Sequence, residues 1–275
     1  MRWGTQDAQQ PAAPWGRGRL AALLCGAGLA VVVLVAGFGY GIYSMFAGPG
    51  TSGGEQASPV LRLDDVAPGE SRREAIAAAP MLEVEPGDAK GGSPAGSPGP
   101  TVRVPAARVE GPVGVPTGYP QSPEGAIGQL SAIATTVLQS MSIQSAHDVY
   151  DAWTAPGAEP AERWELVENL QAFMGSKAGR HVDETTTSLR AVPVGAQVKG
   201  TDGDEWVLAC VLLDVTATVA RTATIAYGYC AAMQWTPDGR WVIDATREAA
   251  KAPSTWPETD AARQAGWRTW EEVPS

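Results

Sequence analysis

Few side chains in this 275-residue chain are of the types that perform catalysis or hold metals. The two histidines, His147 and His181, lack the close spacing of a zinc site, and no candidate nucleophile lies beside them. An acid–base role for His147 requires that it face a pocket together with Asp151, four residues later. We expect packing or solvent exposure for His147 instead, and we assign no catalytic residue, metal ligand or cofactor-binding residue.

Other signatures of chemistry are missing from the sequence as well. No nucleophile elbow or dinucleotide fingerprint occurs, and residues 175–177 (GSK) lack the upstream glycine of a phosphate-binding loop. Two carboxylate pairs, Asp148 with Asp151 and Asp202 with Asp204, look like a solvated helix face and a turn. The sequence therefore favours a noncatalytic protein.

Cys210 and Cys230 are candidates for a disulfide bond. If the turn between two long predicted strands centres on Ala220, each cysteine lies ten residues from the turn and the two are opposite each other. An oxidising compartment favours a bridge, which would stabilise the fold by roughly 3 kcal/mol. The alternative is two separate buried thiols, because a one-residue change of register would direct them to opposite faces.

The elements that surround these cysteines predict an α+β domain over residues 118–250. Ser122 and Pro123 form a helix start, and apolar residues then recur at helical spacing. Further helices are expected at 145–153 and 160–174, followed by four antiparallel strands at 187–199, 205–219, 222–235 and 240–246. We expect three helices on one face of a curved four-stranded sheet, the nuclear-transport-factor-like or cystatin-like roll.

An uncharged run at residues 20–46 exceeds the ~20 apolar residues that a helix needs to cross a bilayer. Three arginines against one aspartate in residues 1–19 predict a cytoplasmic tail. A cleaved signal peptide is the alternative, but its apolar core is only about 7–15 residues long. We expect a single-pass cell-membrane protein whose C-terminal domain is extracellular.

Small residues recur four apart in this run, which allows close approach of helix backbones in a membrane. They are candidates for self-association or for docking on another membrane helix, although glycine and alanine are common in such helices. The positions are Ala22, Gly26, Ala30, Gly37 and Gly41.

The segment after the apolar run is rich in proline and glycine. Residues 47–120 contain twelve of the 22 prolines, a composition that buries too little apolar surface to offset the entropy of ordering. We therefore predict a disordered extracytoplasmic linker at residues 47–117, with a possible short helix within residues 70–84.

The charge of the chain is unsuited to binding nucleic acid directly. The formal net charge is −10, and residues 1–46 contribute +2, so the remainder carries −12. Affinity for a phosphate backbone comes from clustered lysine and arginine. We therefore expect no direct nucleic-acid contact.

The last segment, residues 251–275, is predicted to be a tryptophan-rich tail. Thr259 can cap a short helix that ends near residue 265, flanked by Trp256, Trp267 and Trp270. Tryptophan is enriched at binding hot spots, so these three are candidates for partner binding. The alternative is that they hold the tail on the domain's own sheet.

Several short segments in this order resemble a family of actinobacterial integral membrane proteins that are encoded within integrative conjugative elements. Besides Cys210 and Cys230 on adjacent strands, the segments are residues 118–126 (GYPQSPEGA), 137–142 (VLQSMS), 239–243 (GRWVI), 252–262 (APSTWPETDAA) and 265–267 (AGW). Glu258 stands where the family pattern has glycine. The resemblance covers roughly residues 118–270 and brings no catalytic residues with it.

The architecture is also similar to the bitopic assembly subunit of type IV secretion systems, which has one membrane helix and an outside roll domain. This similarity implies a noncatalytic scaffold that contacts a transfer ATPase and a polytopic channel protein, and it allows a homo-oligomer. One alternative is an accessory subunit of an actinobacterial lipid-import complex. Another is a ligand-binding or enzymatic roll domain.

Overall fold

The computed structural model describes residues 66–176, 188–219 and 221–275. Five α-helices lie in these ranges: α1 Glu70–Ala78, α2 Pro123–Ser140, α3 Ile143–Trp153, α4 Glu165–Gly175 and α5 Asp260–Gln264. The strands there are β1 Thr101–Pro105, β2 Val109–Glu110, β3 Pro116–Thr117, β4 Ser188–Thr201, β5 Trp206–Val219, β6 Arg221–Trp235, β7 Trp241–Ile243 and β8 Arg268–Val273.

A curled, open, six-stranded sheet organises the domain, with strand order β1-β8-β4-β5-β6-β7. β1 and β8 pair in parallel, and the other neighbours are antiparallel. Register shifts at Pro193/Gly195 and Val198/Gly200 interrupt the β4–β5 ladder, and such bulges bend a strand. The predicted α+β class is confirmed, but the predicted count of four strands is wrong because β1 and β8 join the sheet.

Three helices, α2, α3 and α4, cover one face of the sheet, as expected. Ser122 caps α2 by accepting a hydrogen bond from Gly125 N at 3.1 Å. Alternate residues of β5 face these helices, because side chains of a strand alternate between faces. The core on this side includes Val207, Val211 and Leu213 from the sheet. We call this side the helix-covered face.

The opposite face of the sheet is also covered, although one layer of helices was predicted. Ile76 and Ala77 of α1 pack there with Ala262 of α5 and with Trp267. Every residue of 206–213 is consequently buried. Continuous apolar runs are typical of strands that are buried on both faces, so this run contained the signal. We call this side the disulfide face, because Cys210 and Cys230 lie on it.

The prediction of a disordered linker is wrong for residues 66–117. This segment contributes α1 to the disulfide face and β1 to the sheet, where the buried Val102 and Val104 alternate with the exposed Thr101 and Arg103. The alternation of apolar and polar residues in TVRVP is typical of a strand. It was not recognised, because Pro100 precedes the strand, Pro105 ends it, and the surrounding composition is typical of disorder. Residues 47–65 lie outside the described residues.

The predicted C-terminal tail is likewise part of the domain. β8 inserts between β1 and β4, so residues 251–275 do not form a separate segment. Thr259 caps α5 as predicted, accepting a hydrogen bond from Ala262 N at 3.2 Å. Glu258 has φ +61°, in the left-handed region that favours the glycine of the family pattern.

The predicted membrane span at residues 20–46, with its small residues Ala22, Gly26, Ala30, Gly37 and Gly41, lies outside the described residues. Within the part of the chain that the structure describes, no helix is both long and apolar enough to cross a bilayer. The single-pass topology therefore stays a prediction.

Candidate functional site

A cluster of polar side chains joins the start of α4 to β6 on the helix-covered face. Tyr227 Oη donates to Glu165 Oε1 at 2.7 Å and accepts from Asn169 Nδ2 at 3.0 Å. Trp164 Nε1 donates to Tyr229 Oη at 2.7 Å. The two tyrosines are two residues apart on one strand, so their rings point to the same face and stack, with centroids 6.3 Å apart. One carboxyl group and two phenols are thus held together.

The surroundings of this cluster keep its acidic groups protonated to higher pH than usual. Burial raises the pKa of the half-buried Glu165 carboxyl, although the hydrogen bond from Tyr227 and the charge of Lys251 act in the opposite direction. Burial and the neighbouring Glu165 charge raise the pKa of Tyr227 well above its ordinary value. Tyr227 therefore remains a proton donor. The pair can exchange a proton with a bound molecule, or it can serve only to hold α4 on the sheet.

We expect Glu165→Gln to raise the free energy of unfolding at neutral pH by no more than about 1 kcal/mol, because the amide keeps the Oε1 acceptor without the buried charge. The folded-state pKa of Glu165 lies above the unfolded value, so wild-type stability rises relative to the variant as pH falls through the folded pKa. The free energies of unfolding of wild type and Glu165→Gln should therefore approach each other as the pH falls. Urea titrations of both proteins from about pH 8 to about pH 4, near the ordinary glutamate pKa, measure this change. Glu168→Gln, an exposed site on α4, is the control. If the difference in free energy of unfolding between wild type and Glu165→Gln stayed constant over this pH range, the raised pKa of Glu165 would be contradicted.

His147 and Asp151 both lie on α3, but the structure does not join them in a site. Among residues 66–176 no hydrogen bond links the two, and His147 Nε2 is buried without a hydrogen-bond partner. Asp151 is exposed and lines a surface depression of about 470 Å³ with Tyr150 and residues 154–161, and His147 does not line it. His181 lies outside the described residues.

Asp202 and Asp204, which were expected to lie in a turn and not to form a carboxylate site, have different surroundings. Asp202 is buried and accepts hydrogen bonds from Gly69 N at 3.2 Å and from Arg73 Nε at 2.6 Å, so it anchors the start of α1. Asp204 is exposed. Asp148 is exposed as well and accepts a hydrogen bond from Gln144. Among the described residues, no group of three or more metal-ligating side chains occurs.

Cys210 and Cys230 are directly opposite each other on β5 and β6 and form a disulfide bond, which confirms the predicted pairing. Both are buried. Met81, which follows α1, covers the bond, with its Sδ 3.6 Å from Cys230 Sγ. The bond therefore joins two central strands beneath a segment whose composition predicts a linker.

The three tryptophans of the C-terminal segment pack against the domain. Trp267 is buried, and its Nε1 donates to Pro253 O at 3.0 Å. Trp256 is half-buried on the disulfide face, and Trp270 is half-buried on the helix-covered face. These contacts agree with the alternative that the tryptophans hold the segment on its own sheet. A partner-binding role for them stays a prediction.

A short hairpin formed by β2 and β3 presents exposed apolar side chains. Val109 is 60% exposed and Val113 is 49% exposed. Val113 has φ +50°, a conformation that costs a β-branched residue about 1–3 kcal/mol. Glycine or asparagine would relieve this cost at an exposed position. The hairpin therefore holds an apolar side chain in solvent at an energetic disadvantage.

Buried side chains from two helices fix the hairpin. Trp153 Nε1, from α3, donates to Pro112 O at 3.2 Å. Gln129, a buried residue of α2, donates from Nε2 to Pro116 O at 3.1 Å and accepts from Thr117 Oγ1 at 2.6 Å. The exposed valines are thus on a rigid support. This surface was not predicted, because its prolines and glycines are also typical of a linker.

The chain matches no protein family model, no characterised protein and no solved structure. Its resemblance to the proteins of conjugative elements therefore stays a prediction.

Proposed function

We propose that the chain is a noncatalytic, membrane-anchored scaffold subunit of a conjugative DNA-transfer apparatus of the type IV secretion kind. Its roll-like domain, of the nuclear-transport-factor-like or cystatin-like type, contacts other membrane subunits outside the cytoplasm. The predicted span at residues 20–46 supports a membrane-anchored protein. The net charge of −12 on the remainder supports a protein that does not bind DNA directly.

The observation that carries the proposal is the hairpin with Val109 and Val113. Rigid apolar side chains bind a partner at low entropic cost, because they are already ordered in the free protein. Backbone strain that the surrounding fold maintains is typical of functional positions. Burial of the two half-exposed valines in a partner's apolar pocket is worth roughly 1 kcal/mol each.

The corrected boundary of the folded part also supports a scaffold close to the membrane. The described domain includes residues 66–117, which were predicted to be a linker. At most residues 47–65 therefore separate it from the predicted span, and this length of chain can reach at most roughly 65 Å. A domain on such a connection contacts partners in the same membrane.

The test is cross-linking in cells of the native host, followed by detergent purification through a C-terminal tag and mass spectrometry. Wild type is compared with the double variant Val109→Ser/Val113→Ser and with Val198→Ser, a 38% exposed valine on β4 that serves as the matched control. We expect a transfer ATPase or a polytopic channel protein to co-purify with wild type and control. Recovery from the double variant should fall roughly 30-fold, as a combined loss of about 2 kcal/mol for the two valines predicts.

Three outcomes would contradict this proposal in different ways. Equal recovery of the partner from the double variant would show that the hairpin is not the contact surface. Recovery of lipid-import subunits would favour the envelope-transport alternative. Recovery of the tagged protein alone would contradict a role in a larger assembly.

A second candidate function, binding or acid–base chemistry in the roll, is favoured by the Glu165 and Tyr227 pair. Tyr150 connects the cluster to the depression of about 470 Å³, because it lines that depression and its ring lies 5.1 Å from the ring of Trp164. A small molecule that raises the melting temperature of wild type but not of Tyr227→Phe would favour this candidate.

A further inference from the structure

The outer edge of β6 is closed along most of its length. The register with β5 is unbroken, so the N–H and C=O groups of even-numbered residues in β6 point away from β5. Ala226 N donates to Ala89 O at 2.8 Å, and Gly228 N donates to Ser254 Oγ at 3.0 Å. Ala232 O accepts from Asp244 N at 2.8 Å. Segments from both ends of the domain thus close this edge.

The edge is open at its far end, at Thr222 and Thr224. Among the described residues, none accepts a hydrogen bond from either backbone N–H. Thr222 and Ala223 are exposed. Thr222, Ala223 and Thr224 include no proline, charged residue or bulge, although Arg221 precedes them, whereas β1 at the opposite edge of the sheet carries the exposed Arg103 within the strand and ends in Pro105. An unpaired, unprotected edge is a template for another strand.

The open stretch is complementary to itself. A two-fold axis through Ala223 sets Thr222 of one copy opposite Thr224 of the other, and both pairs are of the hydrogen-bonded type. Four N–H···O=C bonds then satisfy every outward group of the two threonines. Ala223 meets Ala223 at the axis in a non-hydrogen-bonded pair, where the Cα atoms approach to about 4.5 Å and a small side chain fits.

We propose that Thr222, Ala223 and Thr224 are a self-association edge, at which the sheets of two copies join through antiparallel β6 strands. The pairing extends rows of hydroxyl groups that exist within one copy, where Thr216 and Thr224 Oγ1 atoms are 3.0 Å apart and those of Thr218 and Thr222 are 3.2 Å apart. Such isologous contacts close as a dimer and leave no further edge.

A second copy fits this edge better than a long peptide from another protein. β6 begins at Arg221 and its edge is closed from Ala226 onward, so the opening is only a few residues long. A peptide strand needs a longer opening, with side-chain pockets, for specificity. The contact is smaller than a standard interface, so we expect it to form where chains are concentrated, as in a shared membrane.

Cysteine cross-linking of the full chain in membranes tests this interface. In a Cys25→Ser background, Ala223→Cys sets two thiols opposite each other in the same kind of pair that Cys210 and Cys230 occupy, with a Cα–Cα distance of 4.0 Å. We expect copper-phenanthroline oxidation to give a disulfide-linked dimer. Ala217→Cys is the matched control, because Ala217 faces Ala223 on β5 but is one strand further from the edge. Its dimer yield should be at least about fivefold lower.

A second substitution separates edge pairing from random collision. Thr224→Pro, added to Ala223→Cys, removes an outward N–H without removing a bond to β5, and we expect the dimer yield to fall at least about fivefold. Thr224→Lys, which keeps the backbone intact and adds charge repulsion, should have the same effect if the proline variant does not fold. Equal yields at positions 217 and 223, an unaffected yield in both Thr224 variants, or cross-linking of Ala223→Cys only to a different protein would overturn the proposal. None of these readouts depends on the hairpin partner.

Discussion

Arg247→Gln is expected to lower the free energy of unfolding by about 3 kcal/mol, because it leaves a buried carboxylate without its charge partner. The side chains of Arg247 and Asp244 are 6% and 5% exposed and form an ion pair. Asp244 also accepts hydrogen bonds from Trp206 Nε1 at 2.9 Å and from Thr246 Oγ1 at 2.6 Å. These bonds fix the carboxylate where water cannot replace the arginine. Urea titration of the full chain in detergent, followed by tryptophan fluorescence, measures the decrease.

The same substitution should loosen α1. Arg247 also pairs with Glu70, and its guanidinium lies 5.9 Å from the ring of Trp206 on the disulfide face. Because glutamine cannot form the ion pair with Glu70, we expect faster protease cleavage between residues 66 and 100 under native conditions. Arg163→Gln is the matched control, because Arg163 and Glu159 form an exposed pair at 2.7 Å that is worth at most about 1 kcal/mol. Equal destabilisation of the two variants would contradict a special role for Arg247.

The pH dependence of wild type follows from the same buried carboxylates. Burial alone raises the pKa of Asp244, but hydrogen bonds from Thr246 and Trp206 and the charge of Arg247 lower it below the ordinary value. The balance is the same at Asp202, where Arg73 and Gly69 oppose burial. A lowered folded-state pKa contributes stability that is present above the ordinary pKa of about 4 and is lost as pH falls further. The free energy of unfolding of Arg247→Gln should therefore fall less than that of wild type as the pH is lowered below this value.

Local signals explain what the sequence predicts well. Ser122 and Thr259 cap helices where a short polar side chain precedes the helical residues, and β4 to β7 follow β-rich runs that turn residues separate. The pairing of Cys210 with Cys230 follows from their equal distance, ten residues, from the turn predicted at Ala220. In each case the residues that decide the structure are close together in sequence.

The features that were not predicted depend on contacts between distant residues. β1 pairs with β8 more than 160 positions away, and Glu165 meets Tyr227 across 62 positions. A short strand or a lone glutamate has no signal for such a partner in its own neighbourhood. The covering of the disulfide face was the exception, because the unbroken apolar run at residues 206–213 requires a second layer. The proline-rich composition of residues 66–117 concealed where that layer came from.

Removing the disulfide with Cys210→Ala/Cys230→Ala is expected to lower the free energy of unfolding by about 3 kcal/mol. The bond closes a loop with a sequence separation of 20, and on the chain-entropy model a loop of this size restricts the unfolded state by about that amount. Replacing both cysteines avoids a lone buried thiol and a mispaired bond with Cys25. Urea titrations of the full chain, with and without a thiol reductant, measure the effect.

The reductant provides the internal control for this experiment. Wild type in reductant should be destabilised nearly as much as the double variant, since the bond becomes accessible once the chain unfolds, whereas the double variant should be indifferent to reductant. Because Met81 covers the bond in the folded state, reduction at low urea should be slow and should speed up when α1 is loosened, as in Arg247→Gln. A wild type that is insensitive to reductant, together with a decrease below about 1 kcal/mol in the double variant, would show that the two strands need no covalent link. The backbone hydrogen bonds between the two strands and the packing on both faces of the sheet would then hold β5 to β6.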